Sequence, residues 1–244
     1  METELLIARL SDTADICERT NKPKFFGFLS PEQTVLAQKY LENRNINYSF
    51  FGGFSDAQRV IVGCFPDWAD DVSFPICAVT FTFRKTDSLT HRDFLGSLMA
   101  LGIKRETVGD ILVEEGRAVV FLSEDVKKFI LTQISKIGRV GVTLSEGFLE
   151  PLPQSSKMVE TSDTIASNRL DCVVSVLASV SRGRSCELIE NGFVSINSVV
   201  CEKTTKLVES GDIITVRGKG KFVITSLSGR TKKQRTVLEF KKYI

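Results

Sequence analysis

Residues 165–228 read IASNRLDCVVSVLASVSRGRSCELIENGFVSINSVVCEKTTKLVESGDIITVRGKGKFVITSLS, and the spacing of their apolar residues changes along the way. Leu170, Val173, Val174 and Leu177 share one helical face. Ser181 can cap a second short helix through Glu190, with Cys186 and Ile189 one turn apart, and Asn191-Gly192 stops it. Val194 and Ile196 then alternate as in a strand, and Asn197-Ser198 marks a turn. Strands over 213–217 and 221–225 pair around Gly218-Lys219-Gly220, and 236–240 supplies a last strand. Two helices followed by basic hairpins, with Ser181-Arg182 opening the second helix, set cations beside a helix N-terminus. That is phosphate-binding geometry.

Charge follows the same division. Residues 161–244 hold 14 Lys and Arg against 8 Asp and Glu, a balance of +6, whereas residues 1–160 hold 18 against 22, a balance of −4. Residues 213–244 alone carry nine basic side chains and a single acid, Glu239. Such asymmetry favours a polyanionic partner for the C-terminal part and leaves the acidic half as a candidate surface for a protein partner.

Upstream, residues 151–164, with Pro151, Pro153 and a Ser/Thr-rich run, read as a linker. Residues 75–146 give strand 76–83, helix 92–101, strands 110–113 and 118–122, helix 124–137 and strand 140–144. This βαββαβ order suggests a ferredoxin-like split unit. RNA-recognition-motif domains share it, but their third strand displays several aromatics, whereas Gly116-Arg117-Ala118-Val119-Val120-Phe121 has one, so base stacking in that manner is not expected. Residues 1–22 suit an amphipathic helix, and the stretch 25–29 breaks the pattern. Ser30-Pro31-Glu32-Gln33 opens a capped helix to about Asn43, and strands 48–51 and 60–65 flank a Gly52-Gly53 turn. The expected organisation is therefore α+β: a small α/β unit over 1–74, an RRM-like unit over 75–150, the linker, and a basic domain with a basic extension over 165–244.

Several classes of function start from weak ground. His91 is the sole histidine and the six cysteines show no Cys-x-x-Cys spacing, so no metal or cofactor is expected and few catalytic triads could be built. The cysteines read as reduced thiols. No apolar run approaches a spanning helix, so a cytoplasmic protein without a membrane partner is expected.

Taken together, Arg169-Leu170-Asp171, Ser181-Arg182, Leu188-Ile189, Gly192-Phe193-Val194, Asn197, Gly211-Asp212 and Arg217-Gly218-Lys219-Gly220 resemble the S-four domain, the RNA-binding module of small-subunit ribosomal protein four. Ser198 departs from the glycine common after the asparagine. The resemblance implies that Arg182 and neighbouring basic side chains meet RNA backbone, while Asp171, Gly192 and Gly211 hold the fold. The RNA-binding candidates are Arg169, Ser181, Arg182, Arg184, Lys203, Arg217, Lys219, Lys221, Lys232, Lys233 and Arg235. A second resemblance spans nearly the whole chain. The stretch from Thr90-His91-Arg92-Asp93-Phe94 through Gly102-Ile103-Lys104-Arg105-Glu106 to Gly109-Asp110-Ile111 looks like the central block of the YlmH family. Residues 51–59, FGGFSDAQR, resemble its N-terminal block, with Gln58 where an acid is more usual, and Gly229-Arg230-Thr231-Lys232-Lys233 adds to the match. It implies a bacterial RNA-binding protein on stalled large ribosomal subunits carrying peptidyl-tRNA, in contact with rRNA and tRNA. Arg92, Lys104 and Arg105 are candidates for a second RNA surface; the competing reading leaves them solvated beside a core face of Phe94, Leu95 and Leu98.

The enzymatic rivals are a pseudouridine synthase and an rRNA methyltransferase, which carry S-four domains. Those fusions place the module before the catalytic domain, whereas only a short basic extension follows it here. Gly218-Lys219-Gly220 also lies between strands and opens no cofactor-binding helix. A non-catalytic protein is expected, and a cell-division adaptor localised by RNA is the other alternative.

Overall fold

The computed structural model describes residues 2–44, 46–69, 72–153, 158–230 and 235–243. It divides into two compact units, residues 1–155 and 156–244. Among its described residues the first unit holds a three-stranded sheet, a four-stranded sheet and a separate two-stranded hairpin. Helix α1 (Glu2–Thr20), strand β1 (Lys24–Leu29), helix α2 (Pro31–Glu42) and strands β2 (Asn47–Phe51) and β3 (Val60–Phe65) build an antiparallel sheet of order β1-β3-β2. Leu6, Leu10, Ala14 and Cys17, spaced by one turn, turn a single face of α1 toward Ala37, Leu41, Val62 and Cys64. The α2 capping box forms as expected: the Gln33 N–H donates to Ser30 Oγ at 3.3 Å and the Ser30 N–H to Gln33 Oε1 at 2.9 Å.

Residues 24–29, read as a break in pattern, are a strand. A bulge between Phe26 and Phe28 shifts the phase of alternation, so Phe28 and Leu29 are both buried and no period of two survives in the sequence. Gly27 occupies the bulge because a Cβ there would lie 2.5 Å from the Glu106 carbonyl oxygen.

Next along the chain come β4 (Ile76–Thr82), α3 (His91–Ala100), β5 (Val108–Glu114), β6 (Arg117–Ser123), α4 (Glu124–Gln133), the hairpin of β7 (Lys136–Ile137) and β8 (Val140–Gly141), and β9 (Thr143–Glu146), of which β4, β5, β6 and β9 form the four-stranded sheet. Its order, β5-β6-β4-β9, is all antiparallel and is that of the ferredoxin-like βαββαβ unit. Helix α4 stops at Gln133, four residues short of the expected end. Ile130, Ile134 and Ile137 keep helical spacing and are all buried, but the last two do so from extended chain leading into a hairpin with Gly138 at φ +58°.

The second unit contains β10 (Met158–Ile165), α5 (Leu170–Leu177), α6 (Arg182–Glu190), β11 (Val194–Ile196), β12 (Val199–Val200), β13 (Ile213–Val216), β14 (Gly220–Arg230) and β15 (Thr236–Tyr243). Six antiparallel strands run in the order β10-β15-β14-β13-β11-β12. Both helices close over Val194, Ile214, Val216, Phe222, Ile224 and Leu238. Residues 158–164, expected within a linker, belong with Ile165 to β10, which pairs along its whole length with β15, from Met158 opposite Tyr243 to Ile165 opposite Thr236. As an edge strand with Thr161, Ser162 and Asp163 all exposed, β10 shows none of the alternation that marks a half-buried strand.

The Asn197-Ser198 turn is real, with both residues in the left-handed region at φ 49° and 67°. Asn197 fits because its side chain donates to Asp212 Oδ1 and accepts the Ile213 N–H, each at 2.8 Å. Ser198 carries a Cβ where a hairpin of this type prefers glycine. Ser198→Gly is therefore expected to stabilise the protein by about 0.5–1 kcal/mol, read as a raised midpoint in urea denaturation. An unchanged or lowered midpoint would count against this account of the turn.

Candidate nucleic-acid interface

Helices α5 and α6 begin side by side, tied by a polar knot. Ser181 caps α6, its Oγ accepting the Arg184 N–H at 3.3 Å. Asp171, in the first turn of α5, is 1% exposed, yet its carboxylate receives two guanidinium groups. Arg169 donates through Nε at 3.1 Å and Nη2 at 3.0 Å. Arg182 donates through Nε at 3.0 Å and Nη2 at 2.9 Å. The Cys172 N–H adds a bond of 3.0 Å to Oδ1. Ser185, fully buried, donates to the Asp171 carbonyl at 2.7 Å, with the Arg182 carbonyl as a second acceptor at 2.8 Å. The sequence offers one signal for Ser185, a small polar residue four positions after the Ser181 cap and one turn before Leu188 and Ile189.

The knot faces outward. The Arg169 and Arg182 side chains remain 37% and 60% exposed, and their bonds to Asp171 use Nε and Nη2, leaving the Nη1 donors unspent on it. One buried carboxylate thus fixes the orientation of two solvent-facing guanidinium groups beside the α6 N-terminus, where backbone N–H groups also face outward. The loop holding Lys203 and Lys206 is bound to the same place, the Leu170 N–H donating to the Lys206 carbonyl at 2.8 Å and the Asp171 N–H to that of Thr204 at 3.1 Å. Lys203 is exposed. Arg184 is exposed too and pairs with Glu187 one turn on, a surface contact of small weight.

Burial by itself would raise the Asp171 carboxyl, but the hydrogen bonds from Arg169 and Arg182 outweigh it and bring it down to about 2. A folded value below the unfolded one contributes stability above about pH 4 that is lost as the pH falls toward 2. Allowing for the exposed partners, the loss is on the order of 1–2 kcal/mol. Urea denaturation of wild type and Asp171→Asn at pH 6, 4 and 2 should show the gap between them closing over the last interval. A gap independent of pH would contradict it.

The other C-terminal candidates lie along the hairpins. Arg217 sits over the Phe193 ring at 5.7 Å, and Lys221 over Tyr243 at 5.3 Å. Lys219 is exposed in the turn between Gly218 and Gly220, both at positive φ. Arg235 donates to the Thr164 carbonyl at 2.8 Å, holding β15 to β10. Lys232 and Lys233 lie outside the described residues.

In the first unit, Arg92 and Lys104 are exposed, but Arg105 is half-buried and donates to the Val108 carbonyl at 2.6 Å. The two blocks quoted for the family meet here. Arg59 donates to the carbonyls of Val108 at 2.9 Å, Phe28 at 2.8 Å and Arg105 at 3.2 Å, so it clips the two sheets together, and burial pulls it down to about 10. Asp110, raised by burial, accepts the Gln58 and Arg59 N–H groups. His91 is lowered by burial and by Arg105. Arg105 is thus partly committed to structure, while Arg92 and Lys104 stay open to solvent.

The sheet face that an RNA-recognition motif would offer to bases is covered by the chain itself. Phe121 on β6 is 1% exposed, stacked on Phe54 of the 52–59 loop at 4.8 Å and met by Phe148 at 5.7 Å. Leu112 and Val119 are buried beside it, with Leu152 packed on them. Among the described residues no group of His, Cys, Asp and Glu could hold a metal ion, and no helix is long and apolar enough to cross a membrane.

Comparison with known proteins agrees with this architecture. Residues 69–150 match the family model described as the putative RNA-binding domain in YlmH, which coincides with the βαββαβ sheet. The chain is 30% identical over 231 residues to ribosome-associated protein quality control protein P2 of Bacillus subtilis (strain 168), covering 93% of this chain and 90% of that protein. Its fold is similar to that of the solved cell division protein ylmH from Streptococcus pneumoniae, with a TM-score of 0.56 and 23% identity over 62% of this chain and 95% of the other. By its match along nearly its full length, the chain belongs to the YlmH family.

Proposed function

We propose that the protein is a non-catalytic RNA-binding factor of ribosome-associated quality control, which grips structured rRNA and tRNA on stalled large ribosomal subunits carrying peptidyl-tRNA in the cytoplasm. The observation that carries the reading is the outward-facing pair Arg169 and Arg182, held on the buried Asp171 at the start of α6 within a basic unit. Similarity to a ribosome-associated quality control protein and to a putative RNA-binding domain supports it. In this reading the unit over 156–244 is an S-four-type domain, with Arg184, Lys203, Arg217, Lys219, Lys221, Lys232, Lys233 and Arg235 extending its phosphate contacts. Arg92 and Lys104 add a second, weaker surface.

If on the order of five phosphates are neutralised, affinity for purified ribosomal RNA should fall about a hundredfold or more between 50 and 200 mM salt, because each contact releases counterions. Filter binding of the full chain across a salt series measures the slope, and a flat dependence overturns the electrostatic grip. The similarity to a cell division protein keeps a cell-division adaptor as the second reading, with the acidic first unit holding a protein. Ribosome recovery with the tagged protein separates the two: loss of recovery on nuclease treatment favours the RNA grip, and recovery that survives favours the adaptor.

A further inference from the structure

Among the described residues of the second unit, the one aromatic side chain left exposed is Phe193, at 39%, three residues past the C-terminal end of α6. Its neighbour Val194 is buried in the core, so the chain turns one residue inward and leaves the next outside. Arg217 lies over the Phe193 ring at 5.7 Å, and the Arg217 N–H donates to the Phe193 carbonyl at 2.9 Å, so ring and cation are carried on adjacent paired strands. Val199 and Val200, 51% and 58% exposed, extend the ledge, Val200 lying beside Gly192. Glu202 also approaches Gly192, which makes this edge less suited to a phosphate than the α6 N-terminus. An exposed arginine-on-aromatic pair bordered by exposed valines and an acid is suited to the flat face of a base, whatever phosphate contact the Lys219 and Lys221 hairpin makes beyond it.

We propose that Phe193 and Arg217 form a stacking platform for one unpaired base of the bound RNA. This rests on the RNA-binding reading above and adds to it a second kind of contact. Arg182 opens α6 and Phe193 follows its end, so the phosphate grip and the platform stand roughly 15 Å apart along the helix axis and engage different nucleotides. The pairing would let a surface that otherwise reads only backbone favour RNA with a base turned out of its helix.

The test uses the full chain with three probes: purified ribosomal RNA, an adenosine octamer, and an octamer of equal charge with abasic riboses. Trp68 is the sole tryptophan, so a Trp68→Phe, Phe193→Trp protein reports from the platform alone. Its emission should be quenched by the adenosine octamer and not by the abasic one. Phe193→Leu, which keeps apolar bulk without a π face, should bind the adenosine octamer about five- to a hundredfold more weakly than wild type and the abasic octamer equally. If wild type binds ribosomal RNA but does not distinguish the two octamers, or Phe193→Leu binds both as wild type does, the platform is overturned and the ledge is left to a protein partner. If wild type fails to bind ribosomal RNA at all, the RNA-binding reading falls and takes the platform with it.

Discussion

Arg182→Ala is expected to weaken binding of ribosomal RNA by about ten- to a hundredfold, the loss of one charge-assisted contact worth roughly 1.5–3 kcal/mol. From sequence, an exposed first-turn arginine should leave folding untouched. The structure corrects that expectation, since Arg182 provides two of the four guanidinium bonds on Asp171. Arg169 keeps the carboxylate paired in the variant, so a stability loss of about 1 kcal/mol is expected beside the larger loss of affinity. Arg182→Lys should recover only part of both, because an ammonium cannot span Asp171 and a phosphate with a planar fork. Affinity by filter binding and stability by urea denaturation separate the two effects. An Arg182→Ala protein with wild-type affinity would move the grip to the hairpins.

The largest stability effect is expected at Asp171. Its replacement by alanine removes the acceptor of four guanidinium bonds and of the Cys172 N–H at a site 1% exposed, and frees two arginines to repel one another. The exposed arginines regain water, which keeps the loss to about 2–3 kcal/mol rather than that of a fully buried pair. RNA affinity should fall as well although Asp171 faces no solvent, because the guanidinium groups lose their fixed direction. A variant as stable as wild type would remove the knot from the account; one that is destabilised but binds fully would show that orientation is not what the carboxylate supplies.

How much of this was legible follows from which signals are local. The α2 capping box, the helices α5 and α6 and the turn of the β13–β14 hairpin depend on spacing and turn residues within a few positions and are found where the sequence places them, although β14 runs on to Arg230, five residues past the expected end. Strand β1 was hidden by a bulge, β10 by exposure at a sheet edge, and the end of α4 by isoleucines that keep helical spacing after the helix has stopped. The site divides in the same way. Ser181 and Arg182 were legible as a cap and its first residue, whereas the bonds that tie Arg182 and Ser185 to Asp171, eleven and fourteen positions away on the preceding helix, are tertiary. The role of Arg59 as a clip between two sheets was likewise invisible, since its acceptors lie 31 to 49 residues away.

The ring of Phe54 resting on Phe121 also bears on where this molecule can be cut. The family match begins at residue 69, yet the strand at the heart of the matched sheet is roofed by a loop that ends ten residues earlier. An excised piece starting at the match would lose Phe54 from above Phe121 and leave that apolar face with less cover, a surface more open to self-association. The smallest piece that keeps its own roof must therefore reach back through the 52–59 loop, and with it to β3 and the sheet that β3 centres. A cut at the edge of that match would therefore fall inside a packed contact rather than in a linker.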